Sequence, residues 1–199
     1  MARTKFKSKI ASRILLIILI IVITIGFFLV NRFPKHNSKS TNQQNSQEKT
    51  NSPTTQTPYN ETSDFRYPIL SGWSKLSQTA LNSQGAISGI GHTSNPISSF
   101  SVKVSSNTPR NNVDQKDSTI SELNKLSNFE LLLYEETTVD GKTGQKFTYC
   151  FGDNTKTKQE LIVIVYKQKT FFLLFSSDET DFNNQTTDFS KILSSFIFI

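Results

Sequence analysis

QELIVIVYKQKTFFLLFS, residues 159–176, reads as two strands, Gln159 to Tyr166 and Thr170 to Ser176, returning through Lys167-Gln168-Lys169. Leu161 to Val165 is apolar at every position, so neither face of that strand is suited to water and the strand is expected inside a sheet covered on both sides. A sheet with one wet face would alternate. Layers must therefore flank it, and the downstream sequence supplies one: Phe182, Phe189, Ile192, Leu193 and Phe196 share a stripe at helical spacing, predicting a helix from about Thr180 to Ser194.

Working back from this hairpin, Phe129 to Val139 returns through Asp140-Gly141 into Gln145 to Phe151 as a second hairpin. Over Ser98 to Ser105, Phe100, Val102 and Val104 alternate with Ser101, Lys103 and Ser105, the pattern of a half-solvated strand. Gly85 to His92 reads as its neighbour. Phe65 to Leu70 is an opening strand broken at Pro68, and Trp73, after Gly72, is read as a plug for one end of the core. Thr119-Ile120-Ser121-Glu122 has capping-box spacing, predicting a helix that starts there and buries Ile120, Leu123 and Leu126. Residues 65–199 thus make one α+β domain.

Ahead of it, ILLIILIIVITIGFFLV (residues 14–30) carries no charge and, at about 1.5 Å per residue, is just long enough to span a thin bilayer. Arg3, Lys5, Lys7, Lys9 and Arg13 precede it and only Arg32 and Lys35 follow closely, so the positive-inside bias puts the N-terminus in the cytoplasm. The expected organisation is a basic cytoplasmic tail (1–13), a transmembrane helix (14–31, with 14–30 in lipid), a disordered linker (32–64) and an extracytoplasmic domain. A cleaved signal peptide would need small residues before its cut, and Leu29 to Pro34 offers none. Residues 36–64 are almost wholly Ser, Thr, Asn, Gln, Pro and charged groups, which cannot repay the entropy of ordering, and as a coil they reach roughly 30 Å. Asn60-Glu61-Thr62 and Asn184-Gln185-Thr186 match the glycosylation acceptor pattern.

The net charge of +6 suggests nucleic acid until it is divided along the chain. Residues 1–35 hold seven Lys/Arg and no acid, residues 36–64 two basic and three acidic groups, and residues 65–199 thirteen of each. The excess belongs to the membrane-flanking segment, and nucleic-acid binding is not expected of the domain. Cys150 is the single cysteine, so no disulfide forms within the chain; among Phe147, Tyr149 and Phe151 it reads as a small buried residue.

The order of elements resembles the PsbP-like domain family. The residues that carry the likeness are Gly72-Trp73, the Phe100 to Val104 strand, the Gly141/Gly144 hairpin into Phe147-Thr148-Tyr149, the Tyr166 to Phe175 hairpin, and the ending Phe189-x-x-Ile192-Leu193-x-Ser195-Phe196. The resemblance implies an α/β/α sandwich with a central antiparallel sheet, in a family that includes extrinsic subunits of photosystem II and membrane-attached bacterial proteins. It also implies a scaffold that docks on partners rather than a catalyst, although fold alone does not fix function.

No catalytic, cofactor-binding or metal-ligating residue is assigned. His36 lies in the linker and His92 at a strand end, so no pair of histidines shares a local site with a carboxylate, and no Gly-x-Ser-x-Gly turn is present. Asp178, Glu179 and Asp181 are the densest carboxylates, but they stand where a helix begins and there stabilise its positive end. Glu135 and Glu136 are neighbours in a strand and face opposite ways. Lys156 and Lys158 precede a strand that Lys167 and Lys169 follow, roughly 20 Å away or more, so the pairs do not form one patch. The first expectation is an anchored docking module for an envelope or membrane partner. The alternative is a small-ligand or metal binder lined by Trp73, Tyr67 and His92; an envelope hydrolase built on His92 comes third.

Overall fold

The structure, a computed structural model, describes residues 57–106, 112–153 and 155–199. Its elements run β1 Tyr59–Glu61, β2 Phe65–Pro68, β3 Trp73–Lys75, α1 Gln78–Gln84, β4 Ser88–His92, β5 Ser99–Ser105, α2 Asn112–Leu123, β6 Glu130–Val139, β7 Lys142–Phe151, β8 Thr157–Tyr166, β9 Lys169–Asp178, α3 Phe182–Ser194 and β10 Ile197–Phe198. Every strand pairing is antiparallel, in a seven-stranded sheet β3-β4-β5-β9-β8-β7-β6 and a small sheet β1-β2-β10. The apolar segment 14–30 lies outside the described residues, among which no helix is long and apolar enough to cross a membrane.

The hairpin of residues 159–176 sits inside the sheet, covered on both faces as its composition requires. Ile162 and Ile164 face one cluster with Phe171, Leu173 and Phe175, roofed by Phe182, Phe189 and Ile192 of α3 and by Phe65, Tyr67 and Phe198 of the small sheet. Val163 and Leu161 face the other cluster with Phe147, Tyr149 and Phe172, roofed by Ile120, Leu123 and Leu126 at the end of α2 and just beyond it. Aromatic rings carry much of the first cluster: Phe175 stacks on Phe189 at 4.7 Å and Phe65 on Phe196 at 5.3 Å. Both hairpin returns are two-residue turns with positive φ throughout, Asp140-Gly141 and Lys167-Gln168; Lys169 is already strand.

Four sequence expectations are corrected. Strand β1, Tyr59–Glu61, lies inside the expected linker: Asn60 is buried, and it draws β1 onto the fold by hydrogen bonding. Burial also closes Asn60 to glycan attachment. A helix stands at Gln78–Gln84, where no element was expected: Ser77 caps α1 by accepting the Ala80 N–H, and Gly85, at φ 61°, ends it, so the strand expected from Gly85 starts at Ser88. The Thr119 to Glu122 pattern does not start a helix but lies at the end of one. Thr119 Oγ1 donates back to the Gln115 carbonyl and Glu122 pairs with Lys125, although Ile120, Leu123 and Leu126 are indeed the buried side. Finally, β5 is not half-solvated. Ser101 is buried and Lys103 half-buried, because Ser101 pairs with Gly89, over which Leu76 and Leu81 of the α1 segment close.

Candidate functional site

Of the three side chains proposed for a ligand pocket, Tyr67 and Trp73 are buried in the core. Tyr67 is fully buried under the small sheet, where its hydroxyl accepts from Asn60 Nδ2 at 2.8 Å and shares a 2.8 Å hydrogen bond with Ser88 Oγ. Burial, against the pull of both hydrogen bonds, raises the phenol pKa to about 12. Trp73 is likewise buried and donates from Nε1 to Asp188 Oδ2 on α3 at 3.0 Å, pinning β3 to the helix as a plug would. His92 sits opposite Trp73 in the β3–β4 ladder, ring edge against ring face at 5.3 Å.

Nor does His92 form a serine–histidine pair of catalytic geometry with Ser94. Its Nδ1 accepts the Asn95 N–H at 3.1 Å and lies 3.2 Å from Ser94 Oγ, so this serine meets a nitrogen already engaged by backbone. A serine nucleophile needs the opposite nitrogen free and a carboxylate behind the first.

Asp178, Glu179 and Asp181 diverge. Asp178 accepts from Thr180 Oγ1 at 2.6 Å and from the Asp181 N–H at 2.9 Å, bonds that hold its carboxyl below the ordinary range. Asp181 accepts from Asn184, Gln185 and Asn95, which depress its pKa in that order, and it makes no side-chain bond to the helix backbone. Glu179 turns instead toward Cys150, its Oε1 3.7 Å from Sγ. Among the described residues no group of acids, histidines and cysteine is arranged to hold a metal ion. Cys150 is buried, and burial followed by the Glu179 charge pushes its thiol up, away from the reactive thiolate.

The charged pairs stay apart as expected. Glu135 bonds Lys146 on one face while Glu136, paired with Gln145, points to the other. Lys156 approaches Glu130 at 3.8 Å and Lys158 covers the Phe182 ring, whereas at the far end Lys167 donates to the Ile199 carbonyl and Lys169 pairs with Asp64.

What the geometry leaves open is an edge. Strand β6 closes the seven-stranded sheet, and its exposed residues include Leu131, Leu132 and Leu133, between 36% and 45% accessible. A bulge between Leu131 and Leu133 explains their display. Leu131 pairs with Tyr149 on the α2 face, Leu133 with Thr148 on the other, and Leu132 is the extra residue between. Sequence reasoning passed over this site although its signal was present: three successive leucines in a strand cannot all be turned into one core.

The sequence profile of the PsbP-like protein family matches residues 14–198. The chain belongs to the PsbP-like family. Among solved structures this PsbP-like chain is similar to cyanobacterial PsbP from Synechocystis, at 16% identity and TM-score 0.52, over 76% of this chain and 98% of that one. It is also similar to LpqN of Mycobacterium tuberculosis, a protein involved in cell envelope biogenesis, at 13% identity and TM-score 0.50, over 73% of this chain and 87% of the other. At such identities the likeness concerns the fold. No curated protein matches the sequence. The antiparallel sheet inferred from the hairpins is thus the family's sheet.

Proposed function

We propose that this PsbP-like chain is a non-catalytic docking module, held at a membrane by residues 14–30 with its domain outside the cytoplasm, and that it recruits an envelope or membrane partner. The observation that carries this reading is the leucine edge of β6, apolar surface exposed on a domain whose reactive side chains are engaged in internal bonds. The uncharged segment and the basic residues before it support the location, and the similarity to LpqN, itself involved in cell envelope biogenesis, is in keeping with an envelope setting.

The test is affinity capture from gently solubilised membranes with three baits: the full chain, the full chain carrying Leu131→Ser, Leu132→Ser and Leu133→Ser, and the segment 1–56 alone. A defined envelope protein that comes down with the first bait and not with the other two supports docking through the edge. Equal recovery by all three would refute it.

A further inference from the structure

The edge bears on the manner of docking, and this inference rests on the reading above. Among the described residues the β6 backbone pairs with β7 alone, so its outer row of N–H and C=O groups is unpaired. The remaining sheet edges are blunt: β1 and β3 have three residues each and β10 two, Pro58 stands just before β1, and β3 ends in Lys75. Strand β6 has ten residues and none is Pro, Gly, Lys or Arg. Its protections are the bulge and three glutamates, and the glutamates turn away an acidic strand but not a basic one.

We propose that β6 accepts an extended segment of a partner protein as an added strand, with apolar side chains against Leu131 to Leu133 and a Lys or Arg beside Glu136. Charge selects this occupant. The three carboxylates of β6 are Glu130, Glu135 and Glu136; Lys156 and Lys146 reach the first two from the inner side, while Glu136 is exposed and makes no ion pair among the described residues. A second copy of this chain fits poorly. Counted residue for residue, every antiparallel β6–β6 register that overlaps the leucines sets Glu130 directly or diagonally against Glu130, Glu135 or Glu136 of the other copy. The in-register parallel pairing sets each acid against itself. The chain's own residues 36–56 contain no apolar side chain longer than that of proline and cannot cover the leucines.

The experiment uses the full chain in phosphatidylcholine nanodiscs and three ten-residue peptides. One alternates leucine with lysine, one alternates leucine with glutamate, and the third is the lysine peptide with N-methyl groups along one backbone edge. The lysine peptide is expected to bind, to slow hydrogen exchange in β6 but not in β3, and to bind at least about tenfold tighter than the glutamate peptide, a preference that Glu136→Lys weakens or reverses. N-methylation should abolish binding, since added strands hold on through main-chain bonds. Binding that survives N-methylation, or no binding at all, overturns strand addition. So does β6 protection that appears without peptide and follows protein concentration, as a second copy would give, or bilayer composition, as lipid would give. Capture of a partner that still depends on the leucines would leave the docking reading standing after such a failure, and capture without that dependence would remove it.

Discussion

Tyr67 offers a quantitative check on how the small sheet closes over the core. Its phenol pKa is displaced from 10.0 to about 12, chiefly by burial. Below pH 10 folded and unfolded chains both hold the proton, and Tyr67 adds no pH dependence. Between pH 10 and 12 the unfolded chain releases it and the folded chain does not, so stability falls as pH rises, by about 1.4 kcal/mol per pH unit and about 2.7 kcal/mol in all. Tyr149, whose pKa burial also raises, contributes in the same sense. Tyr67→Phe should remove the Tyr67 share, about 1.4 kcal/mol per pH unit between pH 10 and 12. At pH 7 the same substitution should cost about 1–3 kcal/mol, because it leaves Ser88 Oγ without its partner and Asn60 with only the 3.4 Å bond to the Gly89 carbonyl. Half-buried Lys103, with its lowered pKa, contributes in the opposite sense but equally in both proteins, and the comparison cancels it. The assay is urea unfolding of the full chain in mild detergent at several pH values, followed by the fluorescence of its single tryptophan, Trp73. A stability difference between the two proteins that stays constant from neutral pH to pH 12 would refute the burial of Tyr67 beneath β1 and β2.

Three further outcomes follow from the packing. Gly144→Ala should destabilise by about 1–3 kcal/mol in the same unfolding assay, since a Cβ there would stand 2.5 Å from Ile164 Cγ1 and 2.8 Å from the Val163 carbonyl oxygen. Glu160→Gln should stabilise at neutral pH, because burial raises the Glu160 pKa against the pull of Lys146. The ionised form is then a cost that grows as pH rises through the folded pKa and is absent below the ordinary glutamate range near pH 4, where the gain should vanish. Cys150 should react with a thiol reagent only as fast as the domain opens, so its labelling rate should track urea concentration, and rapid labelling in native buffer would contradict its burial.

What the sequence disclosed and what it hid divide along one physical line. The hairpin of residues 159–176, the Asp140-Gly141 turn and the α3 stripe were legible because each is a local pattern with one low-energy solution: two-sided apolarity, a positive-φ turn, a 3.6-residue period. Strand β1 was not, because Tyr59-Asn60-Glu61 has no strand composition of its own. It is ordered by pairing with β2, a few residues downstream, and by one buried amide reaching Tyr67, neither of which its own composition announces. The capping-box pattern misled for a related reason: Thr and Glu three residues apart can serve a helix end or its interior, and only the position of α2 over Phe147 and Val163 decides. At the candidate site, the capping role expected of Asp178, Glu179 and Asp181 fails at Asp181, which makes no side-chain bond to the helix backbone, and at Glu179, which turns to Cys150, whereas Trp73 as plug could be reasoned from its place after Gly72. That Tyr67 lies at the centre of the core could not.

The leucine edge carries this line into function. A docking strand must be apolar enough to desolvate and regular enough to present its backbone, which is also what a core strand must be, so composition cannot separate the two. The separation comes from topology. Residues 161–165 gain neighbours on both sides because β7 and β9 flank β8, whereas residues 131–133 belong to the strand where the ladder stops. The bulge adds a second distinction, since it turns Leu131 and Leu133 to opposite faces and leaves Leu132 unmatched, a display that no strand among the described residues continues. An exposed run of this kind costs solubility and invites misassociation. On the docking reading, the acids at Glu130, Glu135 and Glu136 limit that cost by repelling a second copy while admitting a basic strand, so the features that make β6 a hazard are the ones that give it a partner.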